Sequence, residues 1–169
     1  MKHNLKSQSG FTLVEVLVAT VVLSLGLLGL AGMQTASMRY NQDAYLRSQA
    51  VAVANDIIDR MRTNQNGVIA GHYDAVDSRN DIPGDQGCAD APCTAEQIAS
   101  QDIREWTDHF RDVYALGTAY APTLPAGAFG TVTNNASTYT VVITWNEMGA
   151  MNSAENDSTT QTFTITMVL

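Results

Sequence analysis

Few side chains in this sequence have the type and spacing that chemistry requires. His109 stands near Glu105, Asp108 and Asp112, but no nucleophile accompanies it at an interpretable spacing. The plainer expectation is a solvated histidine, and the same holds for His72. Asp74, Asp77, Asp81, Asp85 and Asp90 suggest calcium. They do not follow the alternating ligand pattern of a calcium loop, however, and the segment lacks its closing glutamate. Without a paired nucleophile and base, the sequence predicts no catalytic residue, no metal site and no cofactor. Two cysteines, Cys88 and Cys93, enclose Ala-Asp-Ala-Pro. With no nearby histidine or second cysteine pair they fall short of a tetrahedral zinc site, and in a chain carried out of the cytoplasm they read as a disulfide.

The remaining candidate is Glu15. It lies five positions into an apolar run, and no charge follows it until Arg39. That run is long enough to cross a bilayer, since about 20 apolar residues at 1.5 Å each match a hydrocarbon core of about 30 Å. A lone carboxylate in such a helix costs about 2.5 to 3.5 kcal/mol and marks a functional position. Gly26, Gly29 and Gly32 recur at every third residue near the end of the run. Small residues permit close helix packing in lipid, and glycine lowers helix stability by up to about 1 kcal/mol.

The elements that position these residues follow from patterning. Of the 169 residues, about 130 remain behind the apolar run, enough for one small domain. The net charge is −8, and both lysines, Lys2 and Lys6, precede Gly10. Behind Gly10 the chain holds seven arginines against 17 acidic residues, a balance of −10 that argues against nucleic acid as a partner. No small-residue cleavage site follows the apolar run, so it is expected to stay, with the lysines in the cytoplasm and the following domain outside.

Helical spacing continues through Leu46, Ala50, Val53, Ala54, Ile57, Ile58 and Met61. One helix from about Phe11 to Thr63 is predicted, about 80 Å long, with Gly67 near its C-cap. Gly67 to Cys93 reads as a long connection. Thr94 and Gln97 form a capping-box pattern that opens a helix extending to about Leu116. Strands are predicted over Ala128–Thr133, Thr138–Asn146 and Thr160–Val168, joined antiparallel by Asn-Asn-Ala-Ser and by the connection Gly149 to Asp157. The second and third strands carry alternating apolar rows, Tyr139, Val141, Ile143 and Trp145 in one and Phe163, Ile165, Met167 and Leu169 in the other.

Gly10-Phe11-Thr12-Leu13-Val14-Glu15, behind a short basic leader, resembles the cleavage and methylation motif of the type IV pilin superfamily, which includes the pseudopilins of type II secretion. The resemblance implies that Gly10 ends the leader, that a membrane peptidase cuts after it, and that Phe11 becomes the N-methylated terminus. It assigns Glu15 to assembly and register, through the new amine of its own or a neighbouring chain. Many pilins carry a proline where this chain has Gly32, so the three glycines are expected to supply helix flexibility instead. The implied fold is α+β and lollipop-like, a long N-terminal helix packed against a small antiparallel sheet. The implied division is a leader over 1–10, a transmembrane and filament-core helix over 11–38, and a soluble domain over 39–169.

The downstream order resembles PilV-type minor pilins: an acidic loop with a cysteine pair, a Trp-containing helix, LPAGAFGTV, YTVVITW and a terminal TFTITMVL. This implies a minor pilin that helps to initiate pilus assembly and joins the tip complex. The implied partners are prepilin peptidase, other minor pilins, the major pilin, a PilY-type tip adhesin and the inner membrane. The expected location is the bacterial inner membrane with a periplasmic C-terminal domain, and the pilus after assembly. The competing readings are a minor pseudopilin of type II secretion and a pilus-borne surface-binding module.

Overall fold

The computed structural model describes residues 10–80, 82–148 and 158–169. The expected leader residues before Gly10, Asp81 and the connection Gly149 to Asp157 lie outside them. The first element, α1, is a single helix over Leu13–Thr63. Its contacts divide the chain into two units, one up to Gln42 and one from Asp43. In the first unit nearly every side chain of α1 is exposed. Three hydroxyls there donate within the helix: Thr20 to the Leu17 carbonyl at 2.9 Å, Ser24 to the Thr20 carbonyl at 2.7 Å and Thr35 to the Ala31 carbonyl at 3.1 Å. Such bonds lower the cost of placing these hydroxyls in an apolar environment.

In the second unit the predicted stripe is the buried one: Leu46, Ala50, Val53, Ala54, Ile57, Ile58 and Met61 all belong to the core. Arg60 and Arg62 occupy the last turn, where cations favour the carbonyl end of the helix. Gly67 does not cap α1. A second helix, α2 over Gln65–Ile69, begins immediately, and Gly67 lies inside it. Asn64 caps α2 by accepting the Gly67 N–H at 3.3 Å, and its amide folds so closely over Gly67 that a Cβ there would sit 2.5 Å from it. The glycine is required for that close approach and not for a left-handed helix end.

The segment expected to be only connection also supplies a strand, β1 over Ala75–Asp77. The helix α3 covers Ala95–Thr107 and carries both halves of the predicted capping box: Thr94 Oγ1 accepts from Gln97 N, and Gln97 Oε1 accepts from Thr94 N. It stops short of Leu116. Beyond Thr107 the aspartates take over the backbone donors, Asp108 accepting from Val113 N, and Asp112 from Leu116 N and Gly117 N. Side-chain acceptors of this kind compete with the helical ladder, and Ala115 and Gly117 both turn to φ 57°.

The remaining strands are β2 over Phe129–Asn135, β3 over Thr138–Met148 and β4 over Ser158–Val168. With β1 they form one antiparallel sheet in the order β1-β2-β3-β4. Ala136 and Ser137, at φ 50° and 71°, make the tight turn between β2 and β3. One face of β3, Tyr139, Val141, Ile143 and Trp145, is buried, and Phe163, Ile165 and Met167 of β4 pack partly buried beside it. Trp106 of α3 fills the centre, edge-on to Phe110 at 5.2 Å between ring centroids. Its indole N–H donates to the Val53 carbonyl at 2.9 Å. Gly130 of β2 lies beneath these rings, because a Cβ there would meet Trp106 Cη2 at 2.5 Å. The resulting domain packs the C-terminal half of the long helix against a small antiparallel sheet.

Candidate functional site

The residues singled out by their chemistry occupy three places. The first is the start of α1. Gly10 and Phe11 precede the helix, and Phe11 is 84% exposed. Thr12 caps the helix: its Oγ1 accepts the Glu15 N–H at 3.3 Å, and its carbonyl accepts from Glu15 N and Val16 N. Glu15 therefore occupies the first turn, where the exposed N–H groups favour a carboxylate. Among the described residues the Glu15 side chain has no hydrogen-bond or ion-pair partner. Because Phe11 lies outside the helix, it does not share a helical face with Glu15. Thr12 escaped the sequence reading, although Thr12-Leu13-Val14-Glu15 has the S/T-x-x-E spacing that could have revealed it.

Gly26, Gly29 and Gly32 lie in the exposed part of α1, and a Cβ added at any of them would meet nothing within 4 Å. Packing within the chain does not require them. This helix is the one among the described residues that is long and apolar enough to cross a membrane.

The second place is the disulfide. Cys88 and Cys93 are joined, with their Cα atoms 5.5 Å apart. The loop before them docks on α3, where Gln86 N donates to Gln101 Oε1 at 3.0 Å and Arg104 donates to the Pro83 carbonyl at 3.0 Å. The disulfide thus borders an acidic cleft of about 420 Å³ that also includes Asp85, Asp90, Asp102 and Tyr114.

The third place is a polar network between α1 and α3. Arg60 donates to Asp56 at 3.0 Å, Glu105 at 2.6 Å and Asp102 at 3.4 Å. Tyr73 donates its hydroxyl to Asp102 at 2.5 Å and accepts from Asn64, whose amide also donates to the Ala95 carbonyl. Burial raises Asp102 above the ordinary carboxylate value and outweighs Tyr73 and Arg60. Burial also pushes Asp56 upward, but there His109 and Arg60 prevail and hold the carboxyl down. His109 is not merely solvated: Nδ1 lies 2.9 Å from Thr123 Oγ1 and Nε2 lies 3.5 Å from Asp56. Every member of the network has a protein partner, and the arrangement fastens the second half of α1 to α3. Among the described residues no group of three or more His, Cys, Asp or Glu is placed to hold a metal ion.

Comparison with known families is consistent with this geometry. Residues 5–31 match the family described as the prokaryotic N-terminal methylation motif, and residues 32–104 match the Tt1218-like family, type IV pilin Tt1218. Together the two matches span residues 5–104 and support a type IV pilin-superfamily protein. No curated protein and no solved structure matches it significantly. As a pilin-family structural protein it combines the methylation motif and long apolar N-terminal helix with a disulfide-bearing domain. The two matches meet within α1, between residues 31 and 32.

Proposed function

We propose that this pilin is a minor subunit of a type IV pilus, of PilV type, that helps to initiate assembly and enters the tip complex. The observation that carries the assembly role is Glu15, a carboxylate without a described intrachain partner at the head of an otherwise apolar, exposed helix. In this reading a prepilin peptidase cuts between Gly10 and Phe11 and methylates the Phe11 amine. The precursor waits in the inner membrane with its C-terminal domain in the periplasm. Glu15 then pairs with the terminal amine of a neighbouring subunit, which sets register and offsets the cost of burying the acid. Gly26, Gly29 and Gly32 soften the helix as residues 11–38 leave lipid for the filament core, while residues 39–169 form the soluble part. Other minor pilins, the major pilin and a PilY-type adhesin are the proposed neighbours.

Glu15→Ala tests the role in cells that express the full chain. The mature terminus should still form, as read by mass spectrometry, while the amount in sheared pili falls by about tenfold or more, the effect of about 1.4 kcal/mol. Equal incorporation of variant and parent would refute the role of Glu15.

A further inference from the structure

The two edges of the sheet are built differently. At the β1 edge only three residues pair with β2, and Ser78 N extends the ladder to the Gly130 carbonyl. Asp77 there is bridged to Arg79, whose guanidinium lies 3.9 Å over the Phe129 ring. A short edge that carries charge is how sheets usually resist unwanted pairing. The β4 edge lacks these defences. Its register against β3 runs without a bulge from Ser158 to Val168, and the strand contains no proline and no charged residue. Among the described residues no strand pairs with its outer side.

The geometry of that edge specifies its occupant. Backbone groups facing outward recur about every 6.8 Å, and another extended backbone matches that spacing throughout. The side chains describe which strand fits. Phe163, Ile165 and Met167 face the core yet remain only partly buried, while Thr162, Thr164 and Thr166 are exposed on the other face. An added strand that alternates apolar and small uncharged residues would continue both surfaces. A second β4 fits less well, because antiparallel pairing would bring the Gln161 amide into the apolar row.

We propose that the outer edge of β4 is a docking edge for an extended, uncharged segment of another polypeptide, which joins the sheet as its next strand. This inference stands independently of the pilus reading. The full chain in detergent micelles is mixed with an uncharged peptide carrying the sequence of residues 138–146, TYTVVITWN, which has the required alternation. Residue-resolved amide exchange is then followed by NMR. Alternate amides of β4 should slow by about tenfold or more while β1 stays unchanged. Four results would overturn the proposal. They are no slowing at about 1 mM peptide, equal slowing by a scrambled peptide, β4 amides already as slow as those of β3 without peptide, and slowing that follows protein concentration alone.

Discussion

The indole nitrogen of Trp106 on α3 donates to the carbonyl oxygen of Val53 on α1 at 2.9 Å, tying two elements 53 residues apart in the chain. Trp106 is fully buried. Trp106→Phe keeps an aromatic ring but removes the donor and leaves unfilled volume. Its expected cost is about 1–3 kcal/mol in urea denaturation of the full chain in detergent. An unchanged midpoint would show that the bond and the second ring contribute nothing measurable.

The glycines divide into two kinds. At Gly130 an added methyl runs into Trp106 Cζ2 at 2.7 Å and Phe110 Cζ at 2.8 Å, atoms of rings packed in the core. Gly130→Ala should therefore lower stability by about 1–3 kcal/mol or more, read as a fall in melting temperature. At Gly29 nothing lies within 4 Å. Gly29→Ala should leave the melting of the unit from Asp43 onward unchanged and strengthen the helix locally by up to about 1 kcal/mol. If helix softness serves assembly, the same substitution lowers incorporation into pili, which immunoblots of sheared fibres would detect.

Asp56 and Asp102 both accept from Arg60 but respond oppositely to acid. Burial pushes Asp56 up, but His109 and Arg60 hold it below its ordinary 3.8. Its contribution to stability is thus complete above about pH 3.8 and disappears as pH falls through the lower folded-state value. Asp102 is raised by burial, so its contribution declines as pH rises from 3.8 through its folded-state value. The stability difference between the parent and Asp56→Asn should shrink as pH falls below 3.8, measured by denaturant titration across that range. A difference independent of pH would contradict the assigned direction.

The Cys88–Cys93 ring is small, with four residues between its ends. Cys88→Ser with Cys93→Ser should cost no more than about 2 kcal/mol, since ring-closure entropy grows with loop length. The local effect should be larger. Limited proteolysis is expected to shift toward residues 84–91, because the loop retains only polar ties to α3 such as Gln86 N to Gln101 Oε1. Unchanged cleavage sites would show that those ties suffice.

Patterns contained within one element were readable in the sequence. The α1 stripe from Leu46 to Met61 and the Thr94–Gln97 capping box depend on residues a few positions apart, and both are present as read. The misread parts depend on partners elsewhere. β1 is a three-residue strand held by its pairing with Thr131, Val132 and Thr133, a neighbour that the local composition does not announce. The early end of α3 depends on whether Asp108 and Asp112 point to solvent or back to the chain, and they point back. Gly67 was misplaced because the Asn64 side chain, not the backbone turn, requires it. At the head of α1 the acid was conspicuous, whereas Thr12 was hidden by its ordinary type despite the legible spacing.

Every strand of the sheet pairs with the next in sequence, yet the stripe of α1 is covered by residues from the far end of the chain. While the polypeptide emerges, Val53 and Ile57 exist long before Tyr139, Val141 and Ile143 do. The newborn helix therefore presents a sticky flank until the C-terminal hairpin arrives, so the core cannot close during most of synthesis. Truncation near the end of the sequence would therefore leave the Leu46–Met61 stripe of α1 uncovered and prone to aggregate.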